Sequence, residues 1–240
     1  MDADTARRLL DLNREFYRTF GTEFASTRRR LQPGVLRILE GLRGDEALLD
    51  LGCGNGELAR ALGRHGHLGA YTGLDFSPAL LAAAAPQPAG FQARFLAADL
   101  ADPDWAVPFT PASFDRVLAF AVLHHLPGEM LRTAVLRRVH ALLRSDGCFI
   151  HSEWQFLASL RLAARRQPWE AAGLSAAQVD PGDALLDWRQ GGSGLRYVHA
   201  FDREELAHLA AASGFRVETT FVSDGQGGQL GLYQIWRKLV

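Results

Sequence analysis

Apolar and polar positions follow two rhythms along this chain. Leu9, Leu12, Phe16, Phe20 and Phe24 recur every three or four residues, which is one face of a helix over residues 5–24. Pro33 suits the first turn of a second helix near 33–43. Leu48-Leu49-Asp50-Leu51 is a short apolar run, as a buried strand is, and Gly52 to Gly56 break it before a helix resumes at Glu57–Arg64. Further strands are predicted at Ala70–Leu74, Phe91–Ala97, Phe114–Ala121 and Cys148–Trp154, with helices at Pro78–Ala85 and Gly128–Leu143 among them. Strands alternating with helices imply right-handed crossovers and a mostly parallel sheet.

Residues 155–200 break this rhythm. They are rich in Trp, Gly and Arg and read as an insertion, pictured as a small satellite core with a solvated helix. Asp202 then caps a helix over Asp202–Ala212 with acids in its first turn. The last strands, Phe215–Val222 and Gln229–Trp236, flank a turn-rich loop and predict an antiparallel hairpin. The chain thus reads as one α/β domain over 1–240, with a helical segment at 1–44 and the insertion at 155–200.

Composition narrows the partners. Lys+Arg total 26 and Asp+Glu 27, so the net charge of -1 gives no basic signature of a nucleic-acid binder. Residues 1–44 do carry nine Arg against six acids, which solvated helix faces explain. No apolar run is long enough for a membrane span, and the N-terminus lacks the apolar stretch of a secretory signal. Cys53 and Cys148 lie too far apart for a metal or redox spacing. A cytoplasmic protein with free thiols, no metal and no membrane partner is expected.

Asp50-Leu51-Gly52-Cys53-Gly54-Asn55-Gly56 is the most informative segment. It follows a strand and opens a helix, where glycines let the backbone approach a ligand closely. The dinucleotide fingerprint would place its third glycine at 57, which is Glu, so a nicotinamide oxidoreductase is disfavoured. Asp50 and Glu57 would also repel a pyrophosphate. The pattern suits a ligand with a cationic amino-acid end and no phosphate, namely S-adenosylmethionine, with Asp50 facing its ammonium. Asp75, with Phe76 beside it, ends the second strand and can accept both ribose hydroxyls. Asp99 ends the third and can accept from the adenine amino group, with the Leu100 amide meeting a ring nitrogen. Any one of these acids alone reads as a cap or turn. Three at successive carboxyl ends of a parallel sheet form a ligand-binding pattern.

These residues, with Ser113–Leu126 and Leu142–Ile150, resemble the class I S-adenosylmethionine-dependent methyltransferases. The resemblance implies a Rossmann-like, seven-stranded, three-layer α/β/α fold with strand order 3-2-1-4-5-7-6, the last strand antiparallel. It places Ala121 and His125, after the fourth strand, beside the sulfonium methyl. His125 then contacts the acceptor as a base or packs under the cofactor.

A narrower resemblance concerns the acceptor. Asp183–Trp188, Arg196-Tyr197-Val198-His199-Ala200-Phe201, Glu205-Leu206, the pair His124-His125 and Phe24–Arg28 before Pro33 are similar to the wobble-uridine tRNA methyltransferases. These esterify 5-carboxymethyluridine. Asp187 and Val198 stand where that family usually has Pro and Tyr. The resemblance implies tRNA as acceptor and, from its eukaryotic members, a small activator subunit. Arg196 or Arg28 would orient the carboxylate, Tyr197 and His199 would hydrogen-bond it or line the pocket, and Tyr17 and Phe20 would belong to a lid. Two other readings stand beside it: a small-molecule O-, N- or C-methyltransferase, and a protein that binds the cofactor without catalysis.

Overall fold

The computed structural model describes residues 1–26 and 30–239. Helix α1 spans Ala3–Ser26 and α2 spans Pro33–Glu40, with proline in the first turn of α2 as expected. Asp224, far along the chain, accepts the Gly34 amide at 2.9 Å and satisfies an otherwise orphan donor at the start of α2. There follow β1 (Leu48–Leu51), α3 (Glu57–Arg64), β2 (Tyr71–Asp75), α4 (Pro78–Ala84), β3 (Ala93–Ala97), β4 (Phe114–Phe120), α5 (Glu129–Leu142) and β5 (Leu143–Trp154). Ser77 caps α4 by accepting from the Leu80 amide, and Pro78 fits its first turn.

The chain continues through a one-turn helix α6 (Leu160–Ala163), β6 (Arg166–Gln167), β7 (Asp183–Trp188), β8 (Gly194–His199), α7 (Arg203–Ala212), β9 (Phe215–Ser223) and β10 (Gly231–Lys238). The main sheet has the order β3-β2-β1-β4-β5-β10-β9. Strands β1 to β5 pair in parallel, and β10 runs antiparallel to both β5 and β9. This is the seven-stranded order expected from the sequence.

Strand alternation divides the core into two faces. Leu49 and Leu51 point into a cluster with Leu136 and Val139 of α5 and Leu206 and Leu209 of α7. Leu48 points the other way, against Val35 and Ile38 of α2 and Leu58 and Leu62 of α3. Asp50 shares the second face, as its position two residues after Leu48 requires. Among the described residues, no helix is long and apolar enough to cross a membrane.

The insertion differs from expectation. It packs small clusters of its own, as expected, but around a three-stranded antiparallel sheet, β6-β7-β8, in place of a solvated helix. Its strands are buried along most of their length, so they lack the polar alternation that marks a half-exposed strand. The side chains of Asp183 and His199 are buried and paired with each other. Asp183 accepts from the Tyr197 hydroxyl and from His199 Nδ1, each at 2.7 Å. Glu205 on α7 takes His199 Nε2 at 2.9 Å and Arg132 of α5 at 3.0 Å, and Arg132 also donates to the Tyr197 hydroxyl at 3.1 Å. This network fastens the small sheet to α5 and α7.

With a carboxylate at each ring nitrogen, His199 is an imidazolium. Burial opposes its charge, but the hydrogen bonds to Asp183 and Glu205 raise its pKa above 6.5. A raised folded-state pKa stabilises fully below the unfolded value, and the contribution is lost as pH rises through the raised one. Urea unfolding midpoints should therefore fall more steeply as pH rises above about 6.5 in the natural protein than in His199→Gln. Equal slopes would show that His199 is not charged in the fold.

Candidate active site

The chain leaves β1 toward α3 and β4 toward α5, on opposite faces of the sheet, so a crevice opens at their carboxyl ends. A cavity of about 570 Å³ fills it. The glycine loop forms its floor. Gly52 has φ +67° and Gly56 has φ +75°, and a Cβ would lie 2.7 Å from Val122 at the first and 2.8 Å from Ala84 at the second. Both positions thus require glycine twice over, by backbone and by packing. Of the ten residues expected to hold the cofactor, nine line the cavity: Asp50, Gly52, Cys53, Gly54, Asp75, Phe76, Asp99, Leu100 and Ala121. Gly56 instead packs against α4 behind the loop.

The three acids differ in environment. Asp50 is buried and accepts from the Tyr71 hydroxyl. Burial pushes its carboxyl up to about 7, against the lowering effect of that hydrogen bond. Asp75 accepts the Gly54 amide at 2.9 Å and the Ser77 amide at 2.8 Å, tying the glycine loop to the start of α4, and burial raises its pKa. Asp99 accepts the Ala101 amide at 2.9 Å and both Nε and Nη2 of Arg14 at 2.8 and 2.7 Å. Ala121 has φ +60°, a sparsely populated conformation for a residue with a Cβ, and its amide is held by the Ser152 carbonyl at 2.9 Å. This bend turns the chain out of β4 into the 3-10 turn Leu123–His125.

Helix α1 covers the other side. One turn of it reaches three parts of the molecule. Asn13 is buried; its side chain accepts the Tyr197 amide at 2.8 Å and donates to the Tyr197 carbonyl at 3.1 Å and the His125 carbonyl at 3.3 Å. Arg14 meets Asp99. The Tyr17 hydroxyl lies 3.0 Å from His125 Nε2, while His125 Nδ1 lies 3.2 Å from the Tyr197 carbonyl. A carbonyl only accepts, so Nδ1 carries a proton, and in the neutral ring Nε2 accepts from Tyr17. Tyr17, expected as part of a lid, thus holds the ring of His125. Phe20 packs with Phe16, Tyr17 and Trp188.

Arg196 on β8 lines the cavity and is 4% exposed. Its guanidinium carbon is 4.8 Å from the Trp154 ring centroid, 5.6 Å from Phe16 and 5.9 Å from Trp188. Aromatic faces so placed favour the cation electrostatically. Tyr197 and His199 do not line the cavity. Successive residues of a strand point to opposite sides, so with Arg196 inward they face the Asp183 network. Arg28 lies outside the described residues. Arg165 and Arg189, also in the insertion, both pair with Asp187.

Asn13, Arg14 and Glu153 were not foreseen. A buried Asn in mid-helix is a weak signal, since its side chain competes with the helix backbone. Glu153 lines the cavity with Oε2 at 3.1 Å from His124 Nδ1 and Oε1 at 2.9 Å from His151 Nδ1. Burial holds its carboxyl well above the ordinary range and pushes His151 down to about 3.

Known proteins share this architecture. A family model described as a methyltransferase domain matches residues 24–220. A protein of Encephalitozoon cuniculi, provisionally described as a methyltransferase, is 31% identical over 203 residues, which is 84% of this chain and 86% of that protein. Trans-aconitate 2-methyltransferase of Streptomyces avermitilis is 30% identical, covering 68% of this chain and 73% of the enzyme. The tRNA (carboxymethyluridine(34)-5-O)-methyltransferase of Macaca fascicularis is 29% identical over 64% of this chain but only 21% of its own length. Among solved structures, an S-adenosylmethionine-dependent methyltransferase from Methanosarcina mazei superposes with a TM-score of 0.65 at 22% identity, over 88% of this chain and 99% of the other.

The Asp50 environment is directly testable. In Tyr71→Phe, loss of the hydroxyl that stabilises the ionised form should move the Asp50 carboxyl titration, followed by carbon NMR, above about 7. A midpoint that stays put or falls would mean that the hydroxyl does not support the anion.

Proposed function

The chain belongs to the methyltransferase-domain family, and on that premise we propose that it transfers a methyl group from S-adenosylmethionine to a carboxylate of a small molecule, forming a methyl ester. The observation that carries the acceptor reading is Arg196: a guanidinium buried in the wall of the cavity, among aromatic rings, on the side covered by α1.

The residues on the floor fit the cofactor. A backbone loop free of bulky side chains suits the methionine end, and a carboxyl at Asp50 poised near 7 ionises readily beside an ammonium. Asp75 retains lone pairs for ribose hydroxyls after accepting its two amides. Asp99 and Leu100 suit the adenine edge, with Arg14 closing over Asp99. When bound, the cofactor supplies an electrophilic methyl group on a sulfonium.

A carboxylate acceptor is ionised at neutral pH, with a pKa near ~4, and needs no general base. That agrees with the state of the histidines here. His125 Nε2 is engaged by the Tyr17 hydroxyl, and His124 Nδ1 by the Glu153 carboxyl. The carboxylate oxygen provides the electron pair of the new O–CH3 bond, the pair of the broken C–S bond stays on sulfur, and no proton moves. The protein's part is alignment: Arg196 holds the acid while the closed α1 excludes water.

A tRNA acceptor is the second reading, favoured by the likeness to the carboxymethyluridine enzyme. Two observations weigh against it. The residues that carry that resemblance, Asp183, Tyr197, His199 and Glu205, form a buried network that braces the fold. Three of the four arginines of α1 pair with acids of their own helix, Arg7 with Asp4, Arg14 with Asp11 and Arg18 with Glu15, while Arg8 donates to the Ala172 carbonyl, so the helix offers little net charge to a polyanion. An activator subunit belongs to this second reading and would be tested with it.

Charge-assisted hydrogen bonds contribute about 1.5–3 kcal/mol, so Arg196→Gln should lower kcat/KM for the acceptor by roughly 10- to 100-fold. Calorimetric affinity for S-adenosylmethionine should stay unchanged. Full activity of this variant on its acceptor would sink the role of Arg196, and a parallel loss of cofactor binding would place it in the cofactor site.

A further inference from the structure

Resting on S-adenosylmethionine as the cofactor, we infer that Arg30 pairs with its methionine carboxylate. This adds a cofactor contact from the start of α2 to those at the strand ends. At neutral pH the amino-acid end of that molecule is a zwitterion, because its α-carboxyl group titrates near ~3.5. Asp50 answers the ammonium only. The carboxylate sits on the same carbon and needs a partner of its own.

The stretch ahead of α2 is in place to supply one. Asp50 shares the face of the sheet that α2 and α3 cover. Leu31 and Val35 pack into the cluster formed there with Leu48 of β1 and Leu58 of α3. Arg30, Leu31 and Gln32 line the same cavity as Asp50 and the glycine loop. The stretch is also pinned. Asp224 accepts the Gly34 amide at 2.9 Å and the Tyr233 hydroxyl at 2.6 Å, and a Cβ on Gly34 would lie 2.3 Å from the Tyr233 ring.

The backbone at this end has few donors to spare. The Cys53 amide is spent on the Leu74 carbonyl at 2.8 Å, that of Gly54 on Asp75 at 2.9 Å, and that of Gly56 on the Cys53 carbonyl at 3.1 Å. Acids surround the same place. Asp50, Glu57 and Asp224 line the cavity here, so a carboxylate brought among them without a cation is repelled. Among the described residues, three guanidiniums line the cavity: Arg14, Arg30 and Arg196. Arg14 is bonded to Asp99 at the adenine end, and Arg196 stands on β8 beside Trp154. Arg30 is exposed, and no acid among the described residues pairs with it. Its planar fork of N–H donors matches a carboxylate.

The test removes the cation from the protein and the carboxylate from the ligand in turn. Calorimetry on the full chain compares S-adenosylmethionine with its decarboxylated analogue, which keeps the adenosine, the sulfonium and the amine. Arg30→Gln should bind S-adenosylmethionine about 5- to 10-fold more weakly than the natural protein, the size expected of a charge pair open to solvent. It should bind the analogue at least as tightly as the natural protein does. Arg30→Lys, which keeps the charge without the fork, should recover part of the lost affinity. Equal loss for both ligands, or loss for neither, would overturn the role of Arg30 and leave the cofactor standing. Failure of the natural protein to bind either ligand would overturn the cofactor assignment itself.

Discussion

The active site hangs on one topological constraint. Strand β1 is bonded to β2 on one side and β4 on the other, and the chain leaves β1 and β4 toward opposite faces of the sheet. No helix can cover the gap between their carboxyl ends, so a crevice forms there whatever the loops contain. Parallel pairing aligns the ends of β1, β2 and β3, which places Asp50, Asp75 and Asp99 along a single edge. The glycine loop, the bend at Ala121 and the turn carrying His124 and His125 all leave from the same line.

What closes the crevice comes from the two parts of the chain outside the sheet. Helix α1 and strand β8 are joined by the Asn13 side chain, which bonds both backbone groups of Tyr197 as a neighbouring strand would. Strand β8 is in turn fastened to α5 and α7 through Tyr197, His199, Asp183, Arg132 and Glu205. Arg196 therefore sits on a rigid element whose opposite face is locked by charge. A guanidinium that must orient an acid to within a fraction of an ångström is best carried this way, because a loop would let the angle of approach wander.

Much of this was legible in the sequence. The βα alternation and the loop Asp50–Gly56 were visible because buried parallel strands read as apolar runs and because glycine is nearly obligatory at the +67° and +75° positions. The insertion was less legible. Its strands have no polar alternation, so β8 was not recognised as a strand. Without that strand, Arg196, Tyr197 and His199 form one group in the sequence, whereas the alternation of β8 turns Tyr197 and His199 away from the cavity. Contacts such as Asn13 with Tyr197, 184 residues apart, have no local signature at all. The residues on which a likeness to tRNA enzymes was read, Asp183, Tyr197, His199 and Glu205, lie on the brace between sheet and insertion and so inform about scaffold more than acceptor.

The central claim, that the acceptor atom is a carboxylate oxygen, is tested most directly by the stability of the product to base. Protein and methyl-labelled S-adenosylmethionine are incubated with a cell metabolite extract, and the labelled product is treated with mild alkali. Release of the label as methanol, abolished when carboxylates in the extract are blocked beforehand, is the predicted result. Label that survives alkali on carbon, nitrogen or an ether oxygen would contradict the account and return His124 and His125 to consideration as bases.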